Sequence, residues 1–171
     1  MIRLGGIGVD RLWTPWRMEY ILSSKDDGCI FCDKLAEKED ERNFILERGK
    51  HSFVILNIYP YNTGHIMIAP NRHVESPMAM LDEELAEIMN FMKVWEGRLR
   101  SSYNPQALNM GANIGGPAGA GVIGHFHIHI VPRWIGDTSH MTVISNTKVM
   151  PQSLEETYQQ LIASMNDGDA S

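Results

Sequence analysis

His125-Phe126-His127-Ile128-His129-Ile130, running on into Val131-Pro132-Arg133-Trp134, is the stretch whose period decides the fold. Polar and apolar residues alternate one for one. In a strand successive side chains point to opposite faces, so His125, His127 and His129 share one face while Phe126, Ile128 and Ile130 turn into a core behind it. Each imidazole brings two ring nitrogens that need partners, which makes three of them costly as packing. Such a row suits metal binding, nucleophilic or proton-transfer chemistry, or both.

Working outward, Asn113-Ile114-Gly115-Gly116-Pro117-Ala118-Gly119-Ala120-Gly121 leads straight into the histidine strand. Exposed backbone N–H groups beside imidazoles point to an anionic, phosphorylated substrate. Upstream of that loop, Leu81, Leu85, Ile88, Met89, Met92, Trp95 and Leu99 recur at three- and four-residue spacing, predicting a helix from about Asp82 to Ser102, capped by Asp82 and ended by Asn104-Pro105. Its stripe is read as core or dimer packing. Ser52 to Leu56, His65 to Ala69 and Leu108 to Ala112 read as further strands, the first two joined by a long connection over 57–64. Ser153 to Met165 reads as a final amphipathic helix, Lys34 to Glu41 as a charged surface turn or short helix, and Thr14 to Ile21 as a short helix with Pro15 at its first position. This is an α+β pattern: an antiparallel sheet of about five strands with helices on one face.

Fifteen basic against twenty-one acidic side chains give a net charge of −6, which argues against a nucleic-acid polymer as partner. It leaves room for a small nucleotide. No apolar stretch approaches the roughly 20 residues of a membrane span. Residues 1–10 are glycine-rich and read as a flexible tail, 11–165 as one domain, and 166–171 as a second tail. Cys29 and Cys32 are the only cysteines and form a C-x-x-C opened by Asp26-Asp27-Gly28. With a cytoplasmic location expected, they read as metal ligands, a redox pair or two reduced thiols.

The histidine run, His125-Phe126-His127-Ile128-His129-Ile130-Val131, resembles the signature of the histidine triad (HIT) superfamily. Leu56-Asn57 with Gly64-His65-Ile66-Met67-Ile68-Ala69-Pro70 and His73 resembles that family's first hairpin, and Asn113 to Gly121 its phosphate-cradling loop. Leu12 to Ile21, Cys29-Ile30-Phe31-Cys32 and Pro132 to Asp137 are similar to the prokaryotic branch related to diadenosine tetraphosphate phosphorylases. The resemblance covers roughly residues 11 to 163 and implies a HIT-like fold with a zinc knuckle near its start.

What it implies further is a nucleotidyl hydrolase or transferase acting on dinucleoside polyphosphates. His127 would attack the α-phosphorus to give a covalent nucleotidyl-histidine, with His129 assisting proton traffic and His65 supporting the imidazole set. Asn57 would contact the ribose; Asn113 and the N–H groups of Gly119, Ala120 and Gly121 would stabilise phosphoryl charge. Structural zinc would be held by Cys29, Cys32, His73 and His125, with His51 a competing ligand. Magnesium is expected only as a counterion of the polyphosphate, and a homodimer is expected. His129 departs from the glutamine of hexose-1-phosphate uridylyltransferases. Gly121-Val122-Ile123-Gly124 lacks the serine that nucleoside phosphoramidases carry before the triad. A non-catalytic nucleotide-binding protein and a catalytic zinc on all three triad histidines are the remaining alternatives.

Overall fold

The computed structural model describes residues 28–137 and 150–168. The predicted helix over Thr14 to Ile21 and the 1–10 tail lie outside them. Five strands, β1 (Ile45–Arg48), β2 (Ser52–Leu56), β3 (Ile66–Pro70), β4 (Ala107–Gly111) and β5 (Ile128–Arg133), form one antiparallel sheet in the order β1-β2-β3-β5-β4. Helices α1 (Ile30–Glu37) and α2 (Asp40–Asn43) precede it, α3 (Asp82–Tyr103) crosses between β3 and β4, and α4 (Leu154–Gly168) closes the chain.

The strand period sorts the apolar residues onto two faces. Val54, Leu56, Ile66, Ile68, Phe126 and Ile130 join Ile88, Phe91, Trp95 and Leu99 of α3 and Tyr158 and Leu161 of α4 in the larger core. Phe53, Ile55, Met67 and Ala69 point the other way and pack with Phe31 of α1. Helices therefore lie on both faces of the sheet, not on one as the sequence suggested, because β2 and β3 are buried throughout and, Ser52 apart, apolar.

The α3 stripe packs into the chain's own core: Ile88, Trp95 and Leu99 are buried, while Leu81 and Met89 of the stripe are strongly exposed. Asp82 does not cap this helix. Leu81 occupies that position, and the Glu84 carboxylate reaches back to accept its backbone N–H at 2.8 Å. Asn104 ends the helix in a left-handed turn, as Asn104-Pro105 predicts. Ser153 caps α4 reciprocally with Glu156, and the helix continues to Gly168, into the stretch expected to be a tail.

β5 begins at Ile128, so His125 and His127 lie in the extended segment entering the strand and only His129 lies within it. The alternation holds nevertheless. His129 pairs with Met67 in register and shares its face, the one carrying α1, while Ile130 goes to the larger core.

Candidate active site

Two imidazoles are held in opposite tautomers by backbone groups. The His127 ring Nδ1 lies 2.8 Å from the carbonyl oxygen of His125. A carbonyl only accepts, so Nδ1 carries the proton and Nε2 presents a lone pair. Burial pushes the His127 pKa down from its ordinary value, partly opposed by that same hydrogen bond, which keeps the ring neutral near pH 7. The second ring is set by a relay. The Tyr61 N–H donates to Nδ1 of His65 at 3.0 Å, so the proton of His65 sits on Nε2 and is donated to Nδ1 of His129 at 2.9 Å. His129 then carries its proton on Nε2. The two triad rings stand edge to face with centroids 4.9 Å apart. A buried neutral lone pair beside an N–H donor can act as nucleophile and proton donor in one displacement.

Glycine places His65. Gly64 has φ +75°, a conformation that glycine alone takes without strain, and a Cβ there would come within 3.1 Å of the Tyr103 ring. The Tyr61 ring stacks on His65 at 4.9 Å.

His127 and His129 open into a cleft of about 680 Å³, counting its mouth, whose walls are largely apolar. Asn57, Gly119 and Gly121 line it. Asn57 accepts the Tyr59 N–H through Oδ1 at 2.9 Å, which fixes its amide. In the glycine loop, the Gly119 N–H donates to Gly116 O at 2.8 Å and the Ala120 N–H to Gly115 O at 3.3 Å. Asn113 donates to Gly119 O at 3.4 Å. Two of the three N–H groups expected to cradle phosphate, and the Asn113 amide, therefore shape the loop itself in this conformation.

Cys29, Cys32, His73 and His125 bring one ligand atom each to within 4.8 Å of one another and could hold a metal ion. Nδ1 of His125 lies 3.3 Å from Sγ of Cys29 and 3.7 Å from Sγ of Cys32, and Nδ1 of His73 lies 3.5 Å from Sγ of Cys32. Tetrahedral zinc with ordinary Zn–S and Zn–N bonds sets ligand–ligand edges of about 3.3–3.8 Å, so the spacing fits. The tautomer fits as well. Nε2 of His125 faces the Pro70 carbonyl at 2.8 Å and must donate to it, leaving Nδ1 as a lone pair aimed at the sulfurs. Burial and the adjoining Cys29 thiol push the Cys32 pKa up to about 11. Because His125 faces the cysteines and His127 Nδ1 is bound to a carbonyl, the triad rings do not converge on one metal.

A profile of the HIT domain matches residues 37–134, more than half of the 171-residue chain. The chain belongs to the HIT family. Among curated relatives, an AP-4-A phosphorylase of Mycobacterium tuberculosis is 36% identical over 162 residues, covering 90% of this chain and 83% of that protein. Among solved structures, a Zn-bound histidine triad family protein from Mycobacterium smegmatis superposes with a TM-score of 0.68 at 22% identity, covering 84% of this chain and 96% of the other. A Plasmodium falciparum diadenosine triphosphate hydrolase does so with a TM-score of 0.58 at 22% identity, covering 74% and 78%. These two likenesses show the fold.

Several residues of this HIT site were not legible in the sequence. Phe31 lies edge-on to both His125 and His127, with centroids 5.2 Å away in each case, so α1 joins the cysteine knuckle to the His127 ring by direct contact. Lys34 lines the cleft instead of lying in a surface turn. Asn62 donates to Asp137 at 2.8 Å and to Pro132 O at 2.9 Å, and Asp137 also takes two bonds from Arg133, at 2.6 and 3.0 Å. That clamp ties the loop carrying Tyr61 and His65 to the end of β5, and it holds the Asp137 carboxyl well below the usual range, chiefly through Arg133.

Proposed function

We propose that this HIT protein is a nucleotidyl hydrolase or transferase that cleaves diadenosine polyphosphates, diadenosine tetraphosphate foremost, at the α-phosphorus. Nε2 of His127 attacks phosphorus, a P–N bond forms, and the P–O bond to the departing polyphosphate breaks. His129 supplies the leaving oxygen with the proton on its Nε2, and His65 holds His129 in that tautomer. In the second step water or phosphate attacks the adenylyl-His127, releasing AMP or ADP and restoring neutral imidazole. One observation carries the reading: opposite tautomers side by side, a lone pair on His127 and an N–H on His129, at one end of an apolar cleft.

Asn57 would hold the ribose, while Asn113 and the Gly119, Ala120 and Gly121 backbone would take phosphoryl charge once the loop adjusts to substrate. Zinc at Cys29, Cys32, His73 and His125 serves structure, in a cytoplasmic setting that keeps the thiols reduced; magnesium accompanies the polyphosphate. The homodimer is supported by β4, an edge strand among the described residues and exposed at nearly every position, with Met110 and Ile114 uncovered. No helix among the described residues is long and apolar enough to cross a membrane.

The test is incubation with diadenosine tetraphosphate with and without inorganic phosphate, with His127→Ala as control. AMP plus ATP without phosphate identifies a hydrolase; ADP plus ATP only with phosphate identifies a phosphorylase. Turnover retained by His127→Ala, or none by the intact protein, defeats the proposal.

A further inference from the structure

Cys29 and Cys32 are the only thiols in the chain, and both are half-buried, while His73 beside them is exposed. Among the described residues the cluster is thus open to small solutes on the His73 side. Cys29 sits at the N-cap of α1 in extended backbone (φ −106°, ψ 115°), outside the helical turns, and Cys32 lies in the first turn. Their sulfurs come within 4.8 Å of each other. A disulfide needs about 2 Å, a gap within reach of side-chain rotation at the N-cap.

His125 links that pair to His127. Its Nδ1 faces both sulfurs, at 3.3 and 3.7 Å, and its backbone carbonyl fixes the His127 tautomer at 2.8 Å. The backbone around it leans on the other histidine of the cluster. The Phe126 N–H donates to Val74 O at 2.6 Å, and a Cβ at Gly124 would come within 3.3 Å of His73 Nε2. A metal held by all four side chains braces the carbonyl that keeps Nε2 of His127 a lone pair.

We propose that Cys29 and Cys32 are a site of oxidation by hydrogen peroxide whose disulfide acts as a switch on His127. This rests on the zinc reading above, under which both sulfurs are thiolates. One thiolate attacks a peroxide oxygen and the O–O bond breaks, leaving a sulfenic acid and a hydroxide that solvent protonates to water. The other thiolate attacks the sulfenic sulfur, the S–S bond forms, and hydroxide departs and becomes a second water. Each sulfur has given up one electron and the peroxide has gained two. His73 and His125 alone are too few ligands to retain the ion, and the brace on the His125 carbonyl goes with it.

The test treats the full chain, as purified, with hydrogen peroxide. About one zinc per chain should pass to a chromogenic chelator, both thiols should vanish, and the intact mass should fall by about 2 Da. Turnover of diadenosine tetraphosphate should drop about fivefold or more, the worth of the hydrogen bond that fixes His127. Imidazole nitrogen NMR should show His127 leaving its single tautomer. Dithiothreitol with zinc should restore all four readouts. Protein stripped of zinc with its thiols reduced should show the same loss of turnover and the same spectral change. The chain also has 11 methionines, and the double variant Cys29→Ser, Cys32→Ser separates their oxidation: peroxide should lower its turnover no further. If that variant does not fold, reversal by dithiothreitol, which leaves methionine sulfoxide untouched, makes the same distinction. Zinc retained with both thiols free, oxidation that reductant does not reverse, a disulfide that leaves turnover and His127 unchanged, or an equal peroxide effect in the double variant would overturn the switch. Less than about a tenth of an equivalent of zinc in the purified protein defeats the zinc reading and this inference with it. If the untreated protein turns nothing over, the nucleotidyl reading fails by itself, and the zinc, thiol and tautomer readouts still decide.

Discussion

Replacing His65 with leucine should slow turnover while sparing the covalent step on an activated substrate. In the structure His65 contributes one hydrogen bond, at 2.9 Å, to Nδ1 of His129, and that bond decides where the His129 proton sits. A neutral hydrogen bond of this kind is worth about 1 kcal/mol, roughly fivefold in the tautomer ratio. Looser orientation of the ring adds up to about another tenfold. The expected loss of kcat on diadenosine tetraphosphate is therefore roughly five- to fiftyfold. His129→Ala, which removes the proton donor outright, should cost about 10²–10⁴-fold. On a p-nitrophenyl ester of AMP, whose leaving group departs without a proton, both variants should lie within about threefold of the intact protein. The double variant should be no slower than His129→Ala, since His65 acts through that ring. Measurements belong well below the melting temperature, because the Tyr61 N–H loses its acceptor. An equal loss on both substrates, or a double variant slower by the product of the single effects, would refute the relay.

Asn62→Leu should lower kcat on diadenosine tetraphosphate by tenfold or less with little change on the activated ester, since the clamp to Asp137 holds Tyr61 and His65 without touching phosphorus; steady-state kinetics on the two substrates check this. Protein purified without added zinc should hold about one equivalent by elemental analysis, and Cys29→Ser should lose both the metal and part of the thermal stability. Glu84, 2% exposed, is held by Arg72 at 2.7 and 2.8 Å and by the Leu81 N–H, which together bring its pKa down to about 2 despite burial. Its folded value lies below its unfolded one, so the stabilisation is complete above about pH 4.5 and is lost as pH falls toward 2. Allowing for screening at the half-exposed Arg72, the effect is about 1–3 kcal/mol. Chemical denaturation across that window should show it, and Arg72→Met should flatten the dependence.

The sequence was most legible where spacing alone carries geometry. His125, His127 and His129 repeat with the strand period, and the α3 stripe repeats with the helix period, so both could be placed before any coordinates. The cysteine–histidine set was reachable only through the family resemblance, because His73 and His125 meet Cys29 and Cys32 across the fold. β1 escaped detection because a register shift between Ile45 and Glu47 breaks its alternation and leaves Ile45 and Leu46 both buried. Lys34 looked like surface because its neighbours in sequence are charged; its position on the helix face of Ile30 and Phe31 appears only once α1 is known to begin at Ile30. The Asn62–Asp137 bond spans 75 residues and leaves no local trace.

Helix α1 borders two candidate binding sites at once. Cys29 at its N-cap and Cys32 in its first turn face the metal cluster, while Ile30, Phe31 and Lys34 form a wall of the cleft. Thermodynamic linkage then acts in both directions: whatever factor zinc adds to nucleotide affinity by ordering this wall, bound nucleotide must add to zinc affinity. A saturating nucleotide should therefore slow the loss of metal to a chelator, making the rate of zinc release a gauge of occupancy in the neighbouring cleft.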